Sequence, residues 1–222
     1  MNLPSEVAVM TLPNATLFPQ ALLPLYIFEP RYRKMLTAAL AGERMFAVAM
    51  RKSRQSKSSV AGLGLIRAAV KHTDGTSHLI LQGLIRVELG DVVRSRPYRI
   101  QKIHALQSPP CDVAAVDALV VQVRDLLAKR FQLGLPFPFP VFSQSKTGPT
   151  KATPPSLPAK DILNYLDNLA TPDQVADLVS CAVLSGASER QKILETVNVE
   201  ARLGHLVRFL AADIRRQNKA KS

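Results

Sequence analysis

The spacing of the apolar residues changes near Pro109-Pro110, and this change limits the possible folds more than any other feature. Before it, apolar residues form short β-leaning segments separated by Gly, Pro, Asp and Ser, which is typical of antiparallel strands. The predicted strands cover 6–10, 22–27, 45–50, 63–70, 78–89 and 98–103. After it, apolar residues recur every three or four positions, which is typical of helices with one buried face. The sequence predicts an α+β fold with a β-rich domain at 1–108 and a helical bundle at 109–222.

The predicted strands are short and closely spaced, which favours an antiparallel barrel or sandwich. Asp74-Gly75 predicts a tight hairpin turn, because glycine readily takes the positive φ that such turns need. Gly62-Leu63-Gly64 is interpreted as a turn into the next strand. It is too short, and lacks the lysine, to be a phosphate-binding loop.

One predicted helix interrupts the strands. Pro30 suits its first turn, where a missing N–H costs no hydrogen bond, and Glu29 suits the positive end of the helix dipole. Gly42 is the predicted end of the helix. The residues spaced to form its buried stripe are Tyr32, Met35, Leu36, Ala39 and Leu40.

The helical region contains several amphipathic segments. The predicted helices cover 113–131, 161–169, 173–184, 189–197 and a last segment that Asn198 caps. Thr171 is a predicted N-cap, and Ser188 with Gln191 has the spacing of a capping box. Seven prolines in a Pro-rich connector at 135–158 exclude regular structure there. The basic tail at 215–222 is predicted to fray.

Residue patterns for catalysis or for metal and cofactor binding are missing from the sequence. The histidines are scattered, and although His72 and His78 can approach across the predicted hairpin, a solvated strand pair is the expected explanation. Cys111 and Cys181 are expected to be unpaired thiols. The sequence therefore predicts no catalytic residue, no metal, no cofactor and no enzymatic activity.

A strong positive charge favours acidic partners. The formal net charge is +12, with 29 Lys and Arg against 17 Asp and Glu. The residues that form candidate polyanion-binding clusters are Arg51, Lys52, Arg54, Lys57, Arg94, Arg96 and Arg99. They make RNA or DNA binding an alternative function. The clusters lack aromatics for base stacking, and the chain has no Trp, which weakens this alternative for single strands.

The longest apolar stretches are interrupted by charges or prolines and are too short to span a bilayer. The N-terminus lacks the basic patch and apolar run of a secretory signal. A cytoplasmic protein without membrane partners is expected.

Two neighbouring segments resemble a known family. Residues 12–19 (LPNATLFP) and 22–33 (LLPLYIFEPRYR) resemble the opening of the N-terminal substrate-recognition domain of Lon proteases, especially its free-standing bacterial form. Further similar segments are 62–66, 74–87, 174–184, 189–197 and 200–214. The resemblance implies a PUA-like β-pseudobarrel followed by a helical bundle. It also implies a non-catalytic module, without the ATPase and Ser-Lys protease modules, that binds unfolded or tagged polypeptides or serves a full-length protease as an adaptor.

The start of the predicted helix supplies the candidate contact residues for such polypeptides. A surface that accepts many unfolded chains needs exposed apolar area, and charged groups are expected at its rim. We predict Glu29, Arg31 and Arg33 at the rim, with Tyr26 and Tyr32 beside them, because Tyr buries area while keeping a polar tip. The neighbouring apolar residues predicted to lie in the core are Leu17, Phe18, Leu25 and Phe28.

Overall fold

Eleven helices and strands occur in the computed structural model, which describes residues 3–51, 59–134, 169 and 171–221. The strands are β1 (Glu6–Leu12), β2 (Leu22–Ile27), β3 (Met45–Met50), β4 (Val60–Lys71), β5 (Ser77–Arg94) and β6 (Arg99–Ala105). The helices are α1 (Pro30–Ala41), α2 (Val113–Gln132), α3 (Pro172–Val183), α4 (Ala187–Glu195) and α5 (Val199–Lys221). This confirms the predicted α+β class. The predicted connector at 135–158 and nearly all of the predicted helix at 161–169 lie outside the described residues.

The strands form one sheet that closes on itself. Its order is β2-β5-β4-β3-β1-β6, and an additional pairing of β5 with β6 completes a ring of five strands, with β2 attached outside it along β5. The expected antiparallel pairing holds for five of the six strand pairs, while β1 and β3 run parallel. Along the chain, β2 and α1 connect β1 to β3, and this connection lets β3 run in the same direction as β1.

Strand β5 is long enough to pair with three neighbouring strands. Its first half pairs with β2 and β4, and its second half pairs with β4 and β6. The register of β5 shifts between Leu89 and Val92 against β6, and the register of β4 shifts between Leu63 and Gly64. Such irregularities bend and twist a strand, which allows the sheet to curl into a barrel.

The glycines of β4 allow a close approach of the chain and do not form a turn, so the interpretation of Gly62-Leu63-Gly64 was wrong. All three residues lie inside β4. A Cβ at Gly62 would lie 2.0 Å from the carbonyl oxygen of Leu17, because the segment before β2 passes directly over this strand. The hairpin turn at Asp74-Gly75 is confirmed, and Gly75 has a φ of 79°.

Two of the predicted helix caps are confirmed and one is wrong. Thr171 caps α3 in a reciprocal capping box with Gln174, and the side chain of Asn198 accepts a hydrogen bond from the Ala201 amide at 2.8 Å. Ser188 does not cap α4, because that helix begins at Ala187. Gly186 takes the extended N-cap position there, a position that glycine tolerates well.

The capping box of α3 can be tested directly. We expect Thr171→Ala to lower the free energy of unfolding by about 1 kcal/mol, because the backbone N–H of Gln174 loses the Thr171 hydroxyl as its acceptor. Thr171→Ser is the matched control and should stay near wild type. Urea unfolding followed by circular dichroism measures both. Equal stability of the alanine and serine variants would contradict this role for the hydroxyl.

Three buried clusters form the core of the described part of the chain. One consists of strand residues alone, and a second packs Tyr32, Met35 and Leu36 of α1 against the strands. The third fills the helical bundle and also contains Phe18 and Val60 from the β-rich region. Barrel and bundle therefore share a continuous apolar contact, while the division into separate domains at 108/109 stays a prediction.

A buried charge network crosses the same junction. Asp177 of α3 is 2% exposed and accepts hydrogen bonds from Arg86 of β5 at 2.8 Å and from Arg202 of α5 at 2.9 Å. The Arg86 Nε donates to the Leu194 carbonyl at 3.1 Å. The three elements are thereby held in one arrangement. No local sequence pattern indicates this network, because its members lie far apart along the chain.

Candidate functional site

The start of α1 places Glu29 and Arg31 at the surface. Glu29 is the N-cap residue but makes no side-chain cap bond. Its carboxylate instead accepts a hydrogen bond from the Arg31 Nε at 2.8 Å, and the Arg31 guanidinium lies 4.5 Å from the centre of the Tyr32 ring. The ion pair is solvent-exposed, so its contribution to stability is small.

Tyr32 is not a surface residue, and its expected place beside the rim was wrong. It is 6% exposed, and its hydroxyl donates to the Thr11 carbonyl at 3.1 Å and accepts from the Thr11 amide at 3.2 Å. Tyr32 is buried because it belongs to the apolar stripe of α1 that the helical spacing predicted. Tyr32 therefore anchors α1 to the end of β1.

An exposed group of aromatic and apolar side chains covers the outer face of β2, β5 and β4. We call Tyr26, Phe28, Val70, His72 and His78 the aromatic patch. Tyr26, Phe28 and Val70 are 49%, 58% and 61% exposed. The Tyr26 ring lies 5.8 Å from the Phe28 ring and 4.8 Å from the His78 ring, measured between ring centres. Tyr26, His78 and Val70 are register partners and therefore share one face of the sheet.

Phe28 was predicted to be buried, and this prediction was wrong. Side chains alternate between the two faces of a strand, so residues two positions apart share a face. Ile27 is 3% exposed and packs into the core, while Tyr26 and Phe28 on either side of it point outward. The apolar motif therefore contains both core and surface residues.

The two histidines of the aromatic patch approach each other across the hairpin. The Nε2 of His72 lies 2.7 Å from the Nδ1 of His78, so one ring donates a hydrogen bond and the other accepts it. At the hairpin turn, hydrogen bonds from the side chain and amide of Thr76 lower the pKa of the Asp74 carboxyl. The hairpin end of the patch is thus polar, and its β2 end is apolar.

A groove separates α1 from the hairpin of β4 and β5. We call it the α1 groove, and its volume is 350 Å³. Its apolar lining includes Leu36, Leu40 and Ala69, and its cationic lining is Arg33, Lys34 and Lys71. Leu40 was predicted to be buried in the helix stripe, but it is 38% exposed because it faces this groove.

The predicted basic clusters are only partly described. Arg51 is exposed after β3, and Lys52, Arg54 and Lys57 lie outside the described residues. Arg94 and Arg96 are exposed on the β5–β6 hairpin, and Arg99 is half-buried in β6. The Arg94 guanidinium lies 5.1 Å from the centre of the Tyr98 ring, which is the only aromatic contact found at this cluster in the described part of the chain.

The described ranges contain no group of three or more His, Cys, Asp or Glu side chains placed to hold a metal ion. Cys111 is an exposed free thiol, and burial raises the pKa of the half-buried Cys181 thiol. No helix within the described ranges has the length and apolarity of a membrane span.

Solved structures share this fold. The N-terminal domain of the Mycobacterium avium complex Lon protease superposes with a TM-score of 0.70 at 19% sequence identity, covering 93% of this chain and 98% of that one. The Lon N-terminal domain protein from Xanthomonas campestris superposes with a TM-score of 0.55 at 13% identity, covering 93% and 99%. At these identities the likeness shows the fold alone.

Sequence comparisons agree with the fold. The Lon protease of Desulfosudis oleivorans is 26% identical over 94% of this chain, and that of Dictyoglomus thermophilum is 20% identical over 96%. The chain spans about a quarter of the length of these relatives, 24% and 25% respectively. A family model described as the ATP-dependent protease La (LON) substrate-binding domain matches residues 6–212. The chain therefore belongs to the family of LON substrate-binding domains.

Proposed function

We propose that this chain binds unfolded polypeptide segments through the aromatic patch and catalyses no reaction on them. The observation that carries the proposal is the exposure of Tyr26, Phe28 and Val70 on one sheet face. Contiguous apolar side chains of this kind usually mark interaction sites on water-soluble surfaces. Aromatic rings contribute a large contact area with little conformational entropy to lose, so they suit varied partners. Family membership supports a polypeptide as the ligand.

Side-chain contacts fit this surface better than addition of a strand to β2. β2 pairs only with β5 within the described sheet, so one edge of it is open. The backbone N–H of Gly83 donates to the Ala21 carbonyl, which therefore faces β5. Successive residues of an antiparallel strand direct their backbone groups alternately to one side and the other, so the nitrogen of Pro24, three residues later, faces the open edge. Proline has no N–H, so an incoming strand would miss a hydrogen bond there.

The exposed ion pair of Glu29 and Arg31 follows Phe28 directly and is proposed to form a polar rim for the patch. We further propose that the ligands are unfolded or tagged proteins. The chain would then act as an adaptor for, or a competitor of, a Lon-type protease.

Removal of the patch should weaken polypeptide binding. We expect a Tyr26→Ser, Phe28→Ser, Val70→Thr variant to bind a permanently unfolded, fluorescently labelled protein at least about tenfold more weakly, since about 1.4 kcal/mol of lost apolar contact suffices for that change. Fluorescence anisotropy titration gives the dissociation constants.

A control variant that makes three exposed apolar positions polar is Val92→Thr, Val93→Thr, Val121→Ser. Those three valines are 46%, 49% and 53% exposed and lie outside the patch. The control should bind like wild type, and urea unfolding should show both variants folded. Equal binding by the patch variant and the control, or no binding by wild type, would refute the proposed function.

Nucleic-acid binding is a second candidate because Arg94, Arg96 and Arg99 share the β5–β6 hairpin. Salt dependence separates the two functions. Phosphate contacts release counterions, with a log–log slope of about −0.7 to −0.9 for each phosphate neutralised. Binding of an uncharged apolar segment should change far less with salt.

A further inference from the structure

The α1 groove combines an apolar lining with positive charge. Leu36, Leu40 and Ala69 provide apolar surface, and Lys34 and Lys71 are exposed beside it. Among the described residues that line the groove, none is acidic. Its volume of 350 Å³ is at the lower end of the range for small-ligand sites, about 300–1,000 Å³, which is room for one or two side chains.

The two lysines have no carboxylate partner within the described part of the chain. Among the described residues, no Asp or Glu oxygen lies within 4 Å of the Lys34 or Lys71 ammonium. These charges are therefore available to a ligand. Their position beside an apolar surface lowers the local dielectric constant and strengthens an ion pair relative to one in bulk water.

The third cation of the groove is held by the hairpin turn. The Arg33 guanidinium lies so close to Gly75 that a Cβ there would be 1.8 Å from its Nη2. Asp74 is near enough for Arg33 to stabilise its negative charge. Arg33 is thus positioned at one end of the groove, beside the negative charge of Asp74.

The groove and the aromatic patch lie on opposite faces of one hairpin. Val70 and His78 belong to the patch, while their chain neighbours Lys71 and Ser77 line the groove. A polypeptide that passes over the edge of the hairpin can contact both surfaces. This continuity favours a chain segment over a small acid as the occupant.

We infer that the α1 groove binds a polypeptide segment in which an apolar side chain lies next to carboxylates. The inference rests on the proposed function and deepens it by naming a ligand class. The apolar side chain contacts Leu40 and Ala69, and the carboxylates pair with Lys34 and Lys71. The chain then discriminates among unfolded segments by charge, in addition to the apolar contacts at the patch.

The test uses two labelled peptides of one length. The first carries Leu and Phe flanked by Asp and Glu, and the second has Asn and Gln at the acidic positions. We expect wild type to bind the acidic peptide at least about tenfold more tightly than the amide peptide, as several partly exposed ion pairs permit. The preference should shrink as salt is added, because salt screens exposed charges.

A charge-reversed variant locates the preference. Lys34→Glu with Lys71→Glu should abolish the preference for the acidic peptide and leave binding of the amide peptide unchanged. The control is Arg215→Glu with Lys219→Glu, two exposed positions on α5 with the same change in net charge. It should keep the preference, which excludes a simple effect of total charge.

The outcomes separate the two proposals. If the groove variant keeps the preference, or the control loses it equally, the groove inference is overturned while patch-dependent binding of the amide peptide still supports the proposed function. If wild type binds both peptides equally, the groove inference also fails. If the patch variant binds the amide peptide like wild type, the proposed function fails, whatever the acidic peptide does.

Discussion

Replacing Asp177 with alanine is expected to lower the free energy of unfolding by about 3–5 kcal/mol. The Asp177 carboxylate is 2% exposed and pairs with Arg86 at 2.8 Å and with Arg202 at 2.9 Å. Both guanidinium groups are themselves buried. Without the Asp177 carboxylate, Arg86 would lose its acidic partner and Arg202 would keep its pair with Asp173. The buried positive charge left uncompensated would cost more than the original pair contributed.

Asp173→Ala is the matched control for this experiment. Asp173 also pairs with Arg202, but its side chain is 45% exposed, so water replaces much of the lost interaction. We expect a loss of about 1 kcal/mol or less. Urea unfolding followed by circular dichroism compares the two variants, with Asp177→Asn as a milder substitution if the alanine variant does not fold. Similar losses at Asp173 and Asp177 would contradict a central role for the buried carboxylate.

Gly83→Ala is expected to lower the free energy of unfolding by about 3 kcal/mol or more, at the upper end of the effects of overpacking. A Cβ at Gly83 would lie 1.9 Å from the carbonyl oxygen of Phe18. The segment that carries this oxygen is itself hydrogen-bonded to β5, since the backbone N–H of Gln20 donates to the Gly83 carbonyl at 2.8 Å. Relief of the clash therefore requires the segment before β2 to move away from the sheet.

Gly204→Ala is the control for the loss of glycine. Gly204 lies inside α5, and a Cβ there would meet nothing within 4 Å. Alanine favours helix over glycine by about 1 kcal/mol, so this variant should be more stable than wild type. Opposite signs for Gly83→Ala and Gly204→Ala are the expected result, measured by the same urea unfolding. Destabilisation of equal size at both positions would show that the contact with Phe18 is not the cause.

Local patterns in the sequence determined most of the secondary structure. The bounds of β2 and β3 were predicted to the residue, because each is a short apolar run between turn residues. Pro30, Thr171 and Asn198 marked the starts of α1, α3 and α5, since each supplies a local requirement of a helix terminus. Such signals act within one turn of chain, so no distant contact is needed to read them.

The burial of individual side chains agreed only in part with the prediction from sequence periodicity. Tyr32, Met35 and Leu36 lie in the predicted buried stripe, but Leu40 of the same stripe faces the α1 groove. Phe28 reads as core from composition, yet it directly follows the buried Ile27 and points outward on the alternating chain. Periodicity identifies which residues share a face, but the neighbouring elements decide whether that face is covered.

The sequence by itself determined the class of fold, the helix termini, the hairpin turn and, through the LPNATLFP and LLPLYIFEPRYR segments, the family. Only the tertiary structure decided that Tyr26, Phe28 and Val70 form one surface, that Gly62 and Gly83 lie beneath the segment before β2, and that Asp177 pairs with both Arg86 and Arg202. Each group joins residues that are far apart along the chain. Their contacts depend on how the sheet closes and where the bundle packs, and neither is encoded within one helix or strand.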